Sequence, residues 1–341
     1  MAFQVSPGVE IREVDLTNVV PAVSTSIGAV AGAFEWGPVD QIVTVGSEKG
    51  LVDTFGEPTA QSFKYFMPAA QFLQYSNTLK VVRADVDGAV NATPDGIGLL
   101  IRNADDYETK TFSAGEEFVA KYPGELGNSI TVHVVSSVEA FESATFTDPG
   151  YDELFDFAPG TSDFAASRGA IDDELHVLVV DSTGEWTGTP GDVLEIFQGL
   201  SQASNAKKSD GTTNYYVDVI NQQSQYIWAG AAPATLTNAG DSTSSTNLTA
   251  ESDGNSYATD TSVLTSALSG GTAELDAVAV GDLQSAYDFF LDSETVDVNL
   301  IVGVDGGADA VTLGNYLIGI AESRKDAVAF VSPAVSDTVN A

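Results

Sequence analysis

The residues best placed to bind a ligand are Gly303-Val304-Asp305-Gly306-Gly307, which follow an apolar run and precede a helical pattern. Backbone N–H groups at a helix start can cradle a phosphate. The turn, however, carries Asp305, with Asp309 just beyond it, and no Lys or Arg. Carboxylates repel phosphate at close range, and the spacing matches neither G-x-x-x-x-G-K-[ST] nor G-x-G-x-x-G. A structural turn is the first reading and an ion or ligand site the second. Asp85-Val86-Asp87-Gly88 looks like part of a calcium loop. Setting Gly88 at the sixth position of an EF-hand puts Arg83 at the first, where a carboxylate is required. A looser divalent site among Asp85, Asp87, Asp105 and Asp106 stands as the alternative to a solvated acidic surface. His133 and His176 each lie in an alternating run, opposite the apolar residues, and are expected to be exposed or at an edge. Neither has a Cys or Ser partner in a nucleophile motif. Asp172-Asp173 and Glu116-Glu117 could be assembled into a glycosidase pair, but in a chain with 49 Asp and Glu such pairs arise by chance. No catalytic residue, cofactor site or metal site is assigned from the sequence.

Composition narrows the classes further. The chain has 341 residues, 13 Lys and Arg against 49 Asp and Glu, two His and no Cys, with a formal charge of −36. The absence of Cys excludes disulfides and thiolate chemistry. So acidic a surface repels phosphate backbones and anionic membranes, so neither nucleic-acid binding nor membrane association is expected. Copies of the chain repel one another as well, and any self-association needs short-range contacts with salt or divalent ions damping the repulsion. Hydrophobic residues make up 43%, enough for a packed core in roughly two domains. The N-terminus has no basic and apolar signal pattern, and no apolar run reaches transmembrane length.

The elements that would position these residues fall into three parts. Residues 1–22 read as an arm: Ser6-Pro7-Gly8 is a turn, and Val9 and Ile11 alternate with Glu10 and Arg12 as in a strand. Such a strand pairs either with a distant strand of its own domain or with a sheet in another molecule. Residues 23–84 and 276–341 carry strand and helix patterns. These are strands at 26–34, 41–45, 79–84, 296–304 and 327–331, and helices near 59–76, from Asp282, and near 309–323. Strand, helix, strand at the later spacing is a parallel crossover unit. Between them, residues 85–275 are rich in Gly, Asp, Ser and Thr, with short alternating runs at Ile130–Val134, Leu175–Val179, Tyr215–Val219 and Tyr226–Trp228. The spacing in 191–202 suggests that region's one clear helix, and 238–256 reads as an exposed loop. The fold class expected is α+β and multidomain, with an inner α/β layer interrupted by a protruding, mostly antiparallel β domain and preceded by an extended N-terminal arm.

Several stretches together resemble a known family. They are Ser6-Pro7-Gly8-Val9-Glu10-Ile11, Phe34-Glu35-Trp36-Gly37-Pro38, Leu51–Thr59, Tyr65-Phe66-Met67, Phe72–Tyr75, Leu79–Ala84, Tyr122–Gly127, Leu268–Gly271 and Gly281-Asp282-Leu283. On these the chain resembles the tail sheath proteins of contractile-tailed bacteriophages, the T4-like group in particular.

The resemblance implies a structural subunit and no enzyme. It would polymerise helically around a tail tube and contract to drive the tube through the host envelope during genome delivery. It also implies a self-assembly arm over Ser6, Pro7, Gly8, Val9, Glu10, Ile11 and Arg12, which would add a strand to a neighbour's sheet. The implied partners are copies of itself, the tail tube protein, the baseplate and the tail terminator, with no nucleic acid and no direct membrane insertion. The location would be the virion tail, and the host cytoplasm during assembly. Family members continue beyond the region of Pro333, so the chain is expected to be the N-terminal portion of a sheath protein. The alternatives are an α/β ligand- or nucleotide-binding protein using the Gly303–Gly307 turn, and the sheath of a bacterial contractile injection system.

Overall fold

The computed structural model describes residues 27–233, 236, 257 and 259–333; the arm at 1–22 and the loop at 238–256 lie outside them. In chain order the first elements are β1 (Gly28–Gly32), β2 (Ile42–Val45), α1 (Glu48–Phe55), α2 (Phe63–Leu73), β3 (Leu79–Arg83), α3 (Ala104–Thr109), β4 (Phe118–Ala120) and β5 (Ile130–Val135). There follow α4 (Val138–Phe141), α5 (Ala144–Thr147), α6 (Asp163–Ala166), β6 (Glu174–Asp181), β7 (Asp192–Ser201), α7 (Tyr216–Gln223) and β8 (Ile227–Ala229). The last are β9 (Leu264–Ala267), α8 (Val280–Asp288), β10 (Leu300–Val302), α9 (Ala310–Arg324) and β11 (Val328–Phe330).

A mixed five-stranded sheet runs in the order β11-β10-β1-β3-β2, parallel except for β2. Its strands come from both ends of the described chain. β1 is small and fully buried, as a central parallel strand covered on both faces should be. Its side chains alternate between two helical layers. A Cβ on Gly32 would stand 2.6 Å from Tyr65 Cβ, and one on Gly28 2.5 Å from the Phe72 ring, so these two positions must lack a side chain for α2 to seat. The opposite face takes α8 and α9, with Tyr287, Phe290, Leu313 and Leu317 in one core with Ile301.

A buried arginine ties this layer together through carbonyl groups. Arg324, at the end of α9, donates to the carbonyls of Phe290, Val296 and Val298 and pairs with Asp326 at 3.0 Å. Lys325 then takes a left-handed conformation (φ 64°) and stops the helix.

The chain between β3 and α8 builds a four-stranded antiparallel sheet, β7-β6-β5-β9, and a two-stranded ribbon, β4-β8. One face of the larger sheet packs Ile130, Val132, Val134, Leu175, Val177 and Val179 against α7 and the ribbon. The other face packs Val135, Leu178 and Val180 against Phe146 and Phe155 of a short helical cap.

Three expectations are corrected here. Residues 192–201 are a strand, not a helix. The apolar spacing Val193, Leu194, Ile196, Phe197, Leu200 imitates a helical face because β7 is irregular: its pairing with β6 shifts register twice, and Gly199 has φ 64°. Residues 216–223 are a helix, not a strand. Tyr216, Val219 and Ile220 are its buried positions, at the helical spacing i, i+3, i+4. His176 is fully buried rather than exposed, because the cap covers the face that simple alternation assigns to solvent. The sequence patterns do not predict the short helices α3, α4, α5 and α6, nor α1. The signal for α1 is Ser47 at the N-cap, whose hydroxyl accepts from Gly50 N at 3.1 Å.

Candidate assembly surface

Among the described residues, the mixed sheet ends on one side at β11. The outer edge of β11 has no strand partner among the described residues. The register places Leu300 and Val302 of β10 and Val328 and Phe330 of β11 on the face that carries α2. That helix packs mainly on β1 and β3. Val328 and Phe330 are 58% and 55% exposed. On the other face, α9 and the strand end leave an apolar groove of about 420 Å³ lined by Val311, Gly314, Ile318 and Val331. Parallel strands normally have both faces covered, and a flat apolar edge is a template for another strand.

The Gly303–Gly307 turn stands beside this edge and is built for packing. Gly303 N donates to the Phe330 carbonyl at 2.8 Å, and a Cβ on Gly303 would lie 2.5 Å from that oxygen. Asp305 accepts from Gly307 N at 2.8 Å, so the turn's own carboxylate takes an N–H that a phosphate would need. Asp309 is the N-cap of α9.

The acidic residues named as a possible divalent site are spread over ion pairs. Asp85 accepts from Arg102 Nε at 2.7 Å, and Asp106 lies between Arg102 and Lys110 at 3.8 and 3.3 Å. No group of three or more His, Asp or Glu suited to a metal occurs among the described residues. Asp173 of the pair Asp172-Asp173 is buried and accepts from Ser162 N and the hydroxyls of Ser162 and Ser201. Glu116 and Glu117 accept from Ser113 N and Gly115 N in a local turn. The arm residues Ser6, Pro7, Gly8, Val9, Glu10, Ile11 and Arg12 lie outside the described residues.

A second cluster joins the two sheets, and only part of it was legible beforehand. Trp36, from the turn after β1, packs edge-on against Trp186 and Tyr122 at 5.0 and 5.5 Å and belongs to the core of the antiparallel region. Arg83, 2% exposed at the end of β3, donates to the Gly37 carbonyl at 2.9 Å and the Pro123 carbonyl at 2.7 Å. Burial lowers its pKa to about 10, against the pull of Glu35 and Glu125, so it stays charged at neutral pH. Trp186 is aimed by Asp181. That buried carboxylate accepts from the backbone N–H groups of Gly184, Glu185, Trp186 and Thr187 and from the Ser129 hydroxyl. A cleft of about 1030 Å³ opens beside the joint, with Glu35, Glu57, Glu125 and Glu185 on its wall and no Lys or Arg. Its charge disfavours anionic ligands.

Residues 25–84 match the family model described as the N-terminal region of domain III of the tail sheath protein Gp18. The chain is 28% identical to the tail sheath protein of Enterobacteria phage T4, over 96% of this chain and 62% of the relative. It is 31% identical to that of Salmonella phage ViI, over 69% of this chain and 36% of the relative. It is 43% identical to that of Vibrio phage KVP40 over 90 residues, 26% of this chain and 13% of the relative. Among solved structures it is similar to the sheath tail protein Lin1278 from Listeria innocua, with TM-score 0.43 and 16% identity over 87% of this chain and 45% of the other. The chain thus spans 62% of the T4 protein's length and 36% of the ViI protein's. The resemblance drawn from the sequence is borne out: the chain is similar to the tail sheath proteins of phage T4 and other phages.

Proposed function

We propose that this chain is part of a structural subunit of a contractile tail sheath. Such a subunit polymerises helically around a tail tube and contracts to drive that tube through the host envelope. The observation that carries the reading is the similarity to the T4 tail sheath protein along 96% of the chain. The free β11 edge and the uncovered Val328 and Phe330 support it, because a head-to-tail contact that does not close makes a helix, and an open sheet offers one. In this reading, residues 1–22 are the arm, 23–84 with 276–341 the inner α/β domain, and 85–275 a protruding β-rich insertion. Its partners are copies of itself, the tube, the baseplate and the terminator. It resides in the virion tail after assembly in the host cytoplasm, and it needs no catalysis.

The arm residues Ser6–Arg12 add a strand to a neighbour's sheet, where about six paired residues contribute backbone hydrogen bonds of about 0.5–1.5 kcal/mol each. These links keep subunits connected while their bodies exchange one set of contacts for another. The test is electron microscopy of virions labelled with antibodies against this chain. Label along the tails is expected, and virions with unlabelled tails would refute the reading. Deleting residues 1–20 from the full-length protein should abolish ordered tubes; normal tubes would refute the arm's role.

A further inference from the structure

Both ring nitrogens of His176 are committed, and in only one tautomer. Nδ1 accepts from Gly199 N at 3.0 Å, and Nε2 donates to the Phe157 carbonyl at 2.7 Å. The ring stacks on Phe155, centroids 4.7 Å apart and planes at 5°, with Phe141 and Phe157 against it nearly at right angles. It therefore joins three pieces: its own strand β6, the left-handed kink of β7 at Gly199, and the cap residues 141–157. Under the cap lie Phe146, Phe155, Leu178 and Val180, the outer core of the antiparallel sheet.

We propose that His176 is an acid-sensitive latch that holds this cap closed while its imidazole is neutral and releases it on protonation. A proton added at Nδ1 removes the acceptor from Gly199 N–H and sets two N–H groups against each other at 3.0 Å. The charge has no partner to receive it. The ionisable groups on the elements around the ring are Asp173 just before β6, Glu174 and Asp181 on it, Asp192 and Glu195 on β7, His133 on β5, Glu139 and Glu142 on and beside α4, and Asp148, Tyr151, Asp152, Glu153 and Asp156 in the cap. Asp173 is engaged by Ser162 and Ser201, Glu174 by Gly160 N, Glu195 by Ser224, His133 by Thr265, and Asp156 lies beside Gln198. None of them forms an ion pair with His176 among the described residues. Stacking on Phe155 favours a cation, but it leaves the collision at Nδ1 in place.

Burial is the largest influence on His176 and lowers its pKa, against hydrogen bonds from Phe157 and Leu175 that raise it. The sign follows: the opened cap takes up the proton more readily than the closed one. The latch is therefore strongest above about pH 6.5, the ordinary value for a histidine, and weakens progressively as pH falls below it. This inference is independent of the sheath reading.

The test is hydrogen exchange, read by mass spectrometry on the chain and corrected for intrinsic rates, at pH 7.5 and pH 5.0. Peptides from 141–157 should lose about tenfold protection on acidification while peptides from β5 hold theirs. In His176→Asn, whose amide oxygen can accept from Gly199 N–H and does not titrate, the loss should be less than about twofold. Equal loss in both proteins, or none in the wild type, overturns the proposal. With only two His in the chain, imidazole NMR of the wild type gives a second reading. A His176 carrying its proton on Nε2 and titrating below the ordinary range is expected; an ordinary titration overturns the latch even should the variant fail to fold.

Discussion

The indole of Trp36 meets that of Trp186 edge-on, with ring centroids 5.0 Å apart and ring planes at 84°. The two rings belong to different sheets in their chain setting: Trp36 follows β1 of the mixed sheet, and Trp186 stands in the turn between β6 and β7. Their contact, with Tyr122 and Tyr226 completing the cluster, makes a side chain of the α/β layer part of the antiparallel region's core. Removing Trp36, which is 3% exposed, should leave a cavity at this joint. Trp36→Ala is expected to cost about 3–5 kcal/mol in urea unfolding. A loss under about 1 kcal/mol would mean that the joint contributes little.

Arg83 clasps the same joint from the side. Its guanidinium reaches two carbonyls, of Gly37 and Pro123, from loops far apart in the sequence. Arg83→Met should orphan both buried acceptors and destabilise by about 2–4 kcal/mol. Arg83→Lys should recover little, since one ammonium cannot span two fixed acceptors as a planar fork does. Full recovery by Lys in thermal melts would show that charge alone matters there.

Asp181 supplies a pH dependence with a definite sign. Burial by itself raises its pKa, but hydrogen bonds from Ser129, Thr187 and Trp186 outweigh it, and the net shift is downward. A carboxyl whose folded pKa lies below its unfolded one contributes stability above the unfolded value, about 3.9, and loses it as pH falls through the folded value. Asp181→Asn should therefore destabilise by about 2–4 kcal/mol at pH 7, with the gap to wild type closing below about pH 4. A gap constant from pH 7 to pH 3 would contradict this assignment.

Gly303 tests whether its turn exists for packing or for a ligand. A Cβ there would collide with the Phe330 carbonyl at 2.5 Å, forcing β11 away from β10. Gly303→Ala should cost about 1–3 kcal/mol in stability and raise exchange in β11. An unperturbed β11 would leave the glycine without a packing role.

Charge makes a prediction for assembly. At −36 per chain, repulsion between copies is screened over about 8 Å at 0.15 M salt and reaches about 30 Å at 0.01 M. Tube formation by the full-length protein is expected to weaken at low ionic strength. Sedimentation of polymer in 10 mM and 500 mM salt measures it, and equal yields would count against electrostatic control.

The sequence by itself determined the pieces whose signals are local. Ala29 to Gly32 is small and apolar enough to read as a buried strand, and Leu79–Arg83 is a short Val-rich run that follows the helix stop at Asn77. The α9 pattern from Ala310 to Ile320 runs long enough to fix a helix by its period. The family was legible too, because it rests on several short stretches taken together. What only the tertiary structure decided were features that depend on what lies across the gap. β7 looks helical until its pairing with β6 is seen, since a left-handed glycine and two register shifts disturb its alternation. His176 is buried because residues from a separate cap lie over its strand, and no pattern within β6 reports that cover. Arg83 bonds to carbonyls 46 and 40 residues away, a contact with no sequence signature. Periodicity records which face of an element is apolar; only packing determines what, if anything, covers each face.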